Sequence, residues 1–308
     1  MDREITARLM LIVSSTIWGT TFVVGKVALV YLGPLHIVLF ENGLGALVLA
    51  LALIFRGRGD QKGPLIGPFF CRTTVILGCL NGLAYCLQYV GLGMTTAGQA
   101  GVLVNVGVTF VPIFVYAVVR EMPVRREIAA LVISVIGAIL VSTGGDPSML
   151  LAGETLGNLL VFSAGVVWAL WIVIAQMAMS QVGGALRTAV PNAVYTTLVM
   201  VPAALMLEDV LPAGISNPVA QLSILYLGVM SIGVAYLLYY KGLEHTGGTT
   251  SAVYLMLQPV VAVAMGAWLL LEVVTPAIVA GTAMVLLALG LARRKGADLD
   301  SPVQESAG

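Results

Sequence analysis

Two ionisable residues stand inside runs that are otherwise without charge: Lys26 in "WGTTFVVGKVAL" and Glu41 in "IVLFENGLGALV". At membrane depth an unpaired charge costs on the order of 2.5–3.5 kcal/mol on insertion scales. An ammonium–carboxylate pair facing the bundle would relieve that cost, and either group could instead hold a proton or the charged end of a solute. Around them run neutral polar and aromatic side chains at helical spacing. Asn81, Tyr85 and Gln88 share one face, with Tyr89 beside them; Asn105 and Thr109, Tyr236 and Tyr240, and Ser251, Tyr254 and Gln258 form three more stripes. Trp18 and Trp168 fall in the middle of their runs, away from the interfacial belts where Trp is usually enriched. Amide groups bond carboxylates, amines or other amides, and aromatic rings stack on planar or apolar groups. The set reads as the lining of a partly wet cavity for a small amphipathic solute, with Lys26 and Glu41 suited to complement a zwitterion. Ser, Thr and Asn also bond helix to helix in membranes, which is an equal reading for Thr109 and Ser251. His36 is expected at the interface, exposed.

The elements that position these residues follow from composition. The chain has 308 residues, 59% hydrophobic and 10% charged, with a mean hydropathy of +1.01. Soluble domains are about 25% charged, so the expected class is an all-α membrane protein. Stretches such as "GALVLALALIF" lack the alternation of a membrane β-strand. Ten spanning segments are expected, at 8–31, 34–55, 73–94, 97–119, 127–143, 155–180, 186–207, 219–243, 247–271 and 275–292. The first is longer than the apolar core of a signal peptide. The tail, 293–308, turns polar and is expected to be disordered. Fourteen of the fifteen basic residues fall at one alternating set of segment ends, and the fifteenth is Lys26. Cytoplasmic loops collect Lys and Arg, so both termini are expected in the cytoplasm. Cys71, Cys79 and Cys86 crowd one segment and match neither a disulfide framework nor a zinc pattern.

The chain also repeats itself. "GLAYCLQYVGL" at 82–92 and "GVAYLLYYKGL" at 233–243 agree at seven of eleven positions, 151 residues apart. Glu121 and Glu272 recur at the same offset, and Trp18 and Trp168 nearly so. Segments 1–5 therefore correspond to segments 6–10, which predicts two five-helix repeats, 8–143 and 155–292. An odd number of spans in each makes the second enter the membrane from the opposite side. Inverted repeats packed around a central site are a structural basis of alternating access. Pro112 and Pro259 do not align at the 151-residue offset, so the two half-sites need not match. Gly82, Gly233, Gly91 and Gly242 are expected at close helix contacts, and segments 5 and 10 as scaffold.

"WGTTFVVGKVAL", with the paired endings "TFVPIFVYAVVREMPVRREIAALVISVIGAILV" and "LQPVVAVAMGAWLLLEVVTPAIVAGTAMVLLALG", resembles the EamA-type members of the drug/metabolite transporter superfamily across about 10–292. The resemblance implies a ten-helix exporter or permease of small metabolites in a plasma or bacterial inner membrane, with inverted repeats around a central cavity. That family includes carriers of amino acids, aromatic ones among them, as well as of vitamins, nucleotide-like metabolites and toxic compounds. Glu41 departs from the family pattern, which commonly has an Arg there, so anion selectivity does not carry over.

No "GxxxxGK[ST]" loop or "HExxH" is present, and two histidines 209 residues apart make a poor metal set. No cofactor, metal or nucleic-acid partner is expected. The expected partners are a small-molecule substrate and the lipid bilayer, with a single ten-helix chain as the working unit. A membrane-embedded enzyme is the alternative, for which Glu244 beside His245 is the best constellation, and a receptor or structural protein is another. Transport is the leading reading, with amino acids as its first substrate class.

Overall fold

The computed structural model describes residues 3–55, 66–120, 122–146, 154–209, 212–255 and 257–291. Glu121 and the expected tail lie outside the described residues, as do the side chains of Glu244, His245 and Ser251. Every regular element among the described residues is helical. They run α1 (Arg3–Ala28), α2 (Pro34–Phe55), α3 (Arg72–Met94), α4 (Ala97–Val106), α5 (Val111–Val119), α6 (Arg125–Thr143), α7 (Glu154–Val182), α8 (Ala185–Leu207), α9 (Pro218–Tyr226), α10 (Tyr236–Leu255), α11 (Leu257–Leu269) and α12 (Pro276–Leu291). With no water in a bilayer core, helices satisfy every amide within the segment. Chain reversals follow local chemistry: Gly144 and Gly183 take left-handed φ values of 61° and 78° after α6 and α7, a conformation that closes helix ends and suits glycine.

Eight helices among the described residues are long and apolar enough to cross a bilayer, from Ile5–Ala28 to Pro218–Leu243. They coincide, within a few residues, with the first eight expected segments. The last two appear as shorter apolar helices, Leu257–Leu269 and Pro276–Leu291. The break expected between 243 and 247 is absent, because the helical backbone of α10 continues to Leu255. No proline between Tyr236 and Leu255 removes an amide, and Gly247 with Gly248 weakens a helix without interrupting its bonding. Pro259 instead falls in the first turn of α11, where its missing N–H costs little.

Two spans depart from α geometry. A 3₁₀ turn, Gly107–Phe110, joins α4 to α5, with Pro112 restarting the helix. A π-helical stretch, Leu227–Ala235, joins α9 to α10. The 3₁₀ turn has three residues per turn, so Thr109 does not keep the face of Asn105. It bonds the Val106 carbonyl at 2.6 Å and Ser134 at 2.8 Å, a helix-to-helix role.

The bundle packs α3 on α7, α1 on α10 and α11, α2 on α8, α4 on α11 and α7, and α6 on α12. Small residues set the closest approaches. A Cβ at Gly91 would lie 2.7 Å from the Gly157 carbonyl, and one at Gly107 only 1.7 Å from that of Gly165. These two contacts draw α7 against α3 and α4, and the aromatic cavity lies between them and α1.

Candidate functional site

Trp18 on α1, Tyr85 and Gln88 on α3, Asn105 on α4, Trp168 on α7, Tyr236 on α10 and Gln258 on α11 converge on one cavity of about 90 Å³. It has room for a handful of waters at about 10–15 Å³ each. Its rings form a linked wall. Trp18 meets Tyr236 edge-on at 5.4 Å, Tyr236 meets Trp171 at 5.8 Å, Trp171 meets Trp168 at 5.4 Å, and Trp168 meets Tyr85 at 4.9 Å. Such edge-to-face contacts are worth about 0.5–1.5 kcal/mol each beyond their area, and they hold the rings as a unit.

Polar groups fix that wall at defined points. Trp168 donates from Nε1 to Gln88 Oε1 at 3.0 Å, and Asn105 donates to Gln258 Oε1 at 3.3 Å. The carbonyl ends of both glutamines are thus engaged, while each NH₂ end carries two donors. Trp18 donates from Nε1 to the Ser231 carbonyl at 3.3 Å, inside the π-helical stretch. Such stretches recur at functional sites.

Behind the wall, Asn81 ties four helices together. Its Nδ2 donates to Thr196 at 2.8 Å and to Asn42 at 3.3 Å, and its Oδ1 accepts from the Tyr236 hydroxyl at 2.9 Å. Tyr89 stacks on Tyr85 and donates its hydroxyl to Glu41 Oε2 at 2.7 Å. Tyr240 is fully buried against Trp171 and Tyr236, and Tyr254 packs at the edge of the core. Asn81, Tyr89, Tyr240 and Tyr254, expected on the cavity surface, therefore stand beyond the residues that line it.

The expected Lys26–Glu41 pair does not form. Lys26 donates to the carbonyls of Leu92 at 2.7 Å and Thr95 at 2.6 Å, at the carboxyl end of α3. A helix C-terminus presents unpaired carbonyls and negative potential, so it competes with a carboxylate for the ammonium. Tyr89 fills the space between α1 and Glu41: a Cβ at Gly25 would lie 2.7 Å from its ring. His36 also departs from expectation, since it is 3% exposed. Its Nδ1 lies 2.5 Å from Glu208 Oε2. Glu208 also accepts from the amides of Leu35 and His36 at 2.9 and 3.0 Å, so the acid capping α2 draws the imidazole inward.

A second carboxylate does the same for α4. Glu272 accepts from the amides of Ala97 at 2.6 Å and Gly98 at 2.9 Å, beside the Thr96 cap. Both acids follow helices from late in the chain and close the first turn of an earlier one, satisfying orphan donors where the dipole is positive.

Sequence reasoning missed Trp171, Tyr239, Thr21 and Phe22, all of which line the cavity. A signal for them existed. Trp171 follows Trp168 by three residues, Tyr239 follows Tyr236 by three, and Thr21 and Phe22 follow Trp18 by three and four, the spacing that keeps side chains on one helix face.

A bundle with eight helices, among the described residues, long and apolar enough to cross a bilayer marks an integral membrane protein. The sequence matches the EamA-like transporter family over residues 5–143 and 155–294. The chain belongs to that family and is a membrane transporter. An "uncharacterized transporter" of Archaeoglobus fulgidus is 28% identical over 253 residues, covering 82% of this chain and 84% of its own. Another from the same organism is 26% identical over 297 residues, 93% of this chain and 98% of its own. The "uncharacterized transporter YyaM" of Bacillus subtilis is 23% identical over 266 residues, 84% of each chain. One solved crystal structure shares the fold at a TM-score of 0.66 and 14% identity, over 93% of this chain and 96% of that one.

Proposed function

We propose that the chain is a secondary permease of small amphipathic solutes, aromatic amino acids foremost. In this reading two five-helix halves, 8–143 and 155–292, rock about the cavity as ten inverted spans, within a single chain. The observation that carries the solute class is the wall itself, edge-to-face rings interrupted by Gln88, Asn105 and Gln258. Rings take a planar or apolar side chain. Amide donors take a carboxylate, and amide carbonyls an ammonium. Lys26 and Glu41 are absent from the lining, so in this reading the amides carry zwitterion recognition.

Packing supports the two-half reading. At the offset of five segments, α3 on α7 is the counterpart of α1 on α10, while α2 on α8, α4 on α11 and α6 on α12 are each their own counterparts. Gly91 abuts Gly157 on α7 as Gly242 abuts Ala7 on α1, again about 151 residues apart. Alternating access follows from inverted halves that can pack in two unequal ways.

Purified protein in liposomes loaded with unlabelled phenylalanine is expected to draw in labelled phenylalanine by counterflow. Trp168→Ala should lose most of that flux, since Trp168 both walls the cavity and holds Gln88. No counterflow with phenylalanine, tyrosine or tryptophan would remove aromatic amino acids as the substrate class.

Orientation is a separate claim. The basic residues gather at one set of segment ends, which supports both termini in the cytoplasm. A reporter fused after Gly145 is expected to read the outside and one at the C-terminus the cytoplasm. The same side for both would break the inverted arrangement.

A further inference from the structure

Glu41 lies in α2, one layer behind the cavity wall, with no exposed surface. Its Oε2 accepts from Tyr89, and its Oε1 has no hydrogen-bond partner among the described residues. A carboxylate buried with one donor and no counter-charge is far more costly than the neutral acid.

Among the described residues the surroundings supply no counter-charge. Tyr85 and Tyr89 of α3 and Tyr236 of α10 are the titratable groups in electrostatic reach. On α8, Arg187 reaches the Val182 carbonyl, Tyr195 donates to the Phe69 carbonyl, and Glu208 caps α2 with His36. The π-helical stretch holds no ionisable residue, and Tyr226 of α9 bonds Thr20. On α1, Lys26 is held by carbonyls at the end of α3. The separation of Lys26 from Glu41 removes the mutual neutralisation that their paired reading implied.

Tyr85 lines the cavity and stacks on Tyr89 at 6.0 Å, and Tyr89 bonds Glu41, so these two rings lie in line between Glu41 and the cavity. We propose that Glu41 carries a proton in this closed arrangement and releases it to water when the Tyr85–Tyr89 wall parts. The carboxylic acid becomes a carboxylate, and the proton leaves to water in the opened cavity. Opening is thereby linked to proton release, and solute movement to proton movement. The inference rests on the alternating-access reading, but not on its choice of solute.

The sign follows from linkage. The closed form binds the extra proton, so acid favours closed and alkali favours open, by at most about tenfold per pH unit for one proton. A cysteine reporter at Thr21, in a chain with Cys71, Cys79 and Cys86 changed to serine, reads opening through its rate of alkylation in detergent. The thiol's own ionisation cancels when the rate is divided by that of the same reporter chain carrying Glu41→Gln. That ratio is expected to rise on alkalinisation, approaching tenfold per pH unit, and Glu41→Asp should keep the rise. A flat ratio overturns the proposal.

Should Glu41→Gln fail to fold, infrared difference spectra of the native chain give an independent reading. A protonated carboxyl band at neutral pH must vanish in alkali and move in Tyr89→Phe; its absence also overturns the proposal. Phenylalanine counterflow separates the two claims. A rising ratio without counterflow removes only the solute, whereas counterflow with a flat ratio removes only the proton link.

Discussion

Trp171→Ala will lower the unfolding free energy by about 3–5 kcal/mol, the usual range for deleting a buried Trp. Trp171 is 3% exposed and touches Trp168, Tyr236 and Tyr240. Its Nε1 also donates to Asn192 at 3.3 Å. In a bilayer, helix association depends on packing more than on exclusion of water, so lost ring contacts fall directly on stability. Tyr236 and Trp168 would lose a common support, and the cavity would open toward α8. Thermal unfolding in detergent measures the first effect, and counterflow of labelled phenylalanine the second. Trp171→Phe is expected to recover most of the stability, since it restores a ring but not the N–H. Equal losses for both variants would mean that the indole hydrogen bond, rather than the aromatic wall, sets the effect.

Glu272→Ala is expected to cost about 2–4 kcal/mol, from two hydrogen bonds to a charged acceptor at the positive end of a helix. It leaves the amides of Ala97 and Gly98 without their acceptor and unties the end of α11 from the start of α4. Asn105 on α4 and Gln258 on α11 face each other farther along the same contact. Transport should therefore fall with stability. Glu272→Gln retains one acceptor and should recover about half of the loss. Thermal unfolding of the three proteins side by side checks this, and an alanine variant as stable as native would show that the carboxylate is not holding the helix start.

The bundle was legible because its cause is local. Runs of about 20 apolar residues have few options in lipid, and eight such runs became helices of spanning length. Mid-run position singled out Trp18 and Trp168, spacings of three and four placed Tyr85, Gln88, Asn105, Tyr236 and Gln258 in stripes, and all seven reached one cavity. The same rule, applied to the residues after each Trp and Tyr, would have added Trp171 and Tyr239.

Partnerships between helices were another matter. Residue type said that Lys26 and Glu41 could pair, but not that the carbonyls of Leu92 and Thr95 would take the ammonium or that Tyr89 would fill the gap. His36 looked like an interfacial side chain until Glu208, 172 residues away, closed over its amide. Sequence by itself determined the apolar runs and most of their polar faces, because periodicity and burial in lipid act along one segment. Which face meets which, and which carboxyl oxygen is left without a donor among the described residues, was decided only when the helices packed. Those choices turn on ångström-scale competition between donors that lie far apart in the chain.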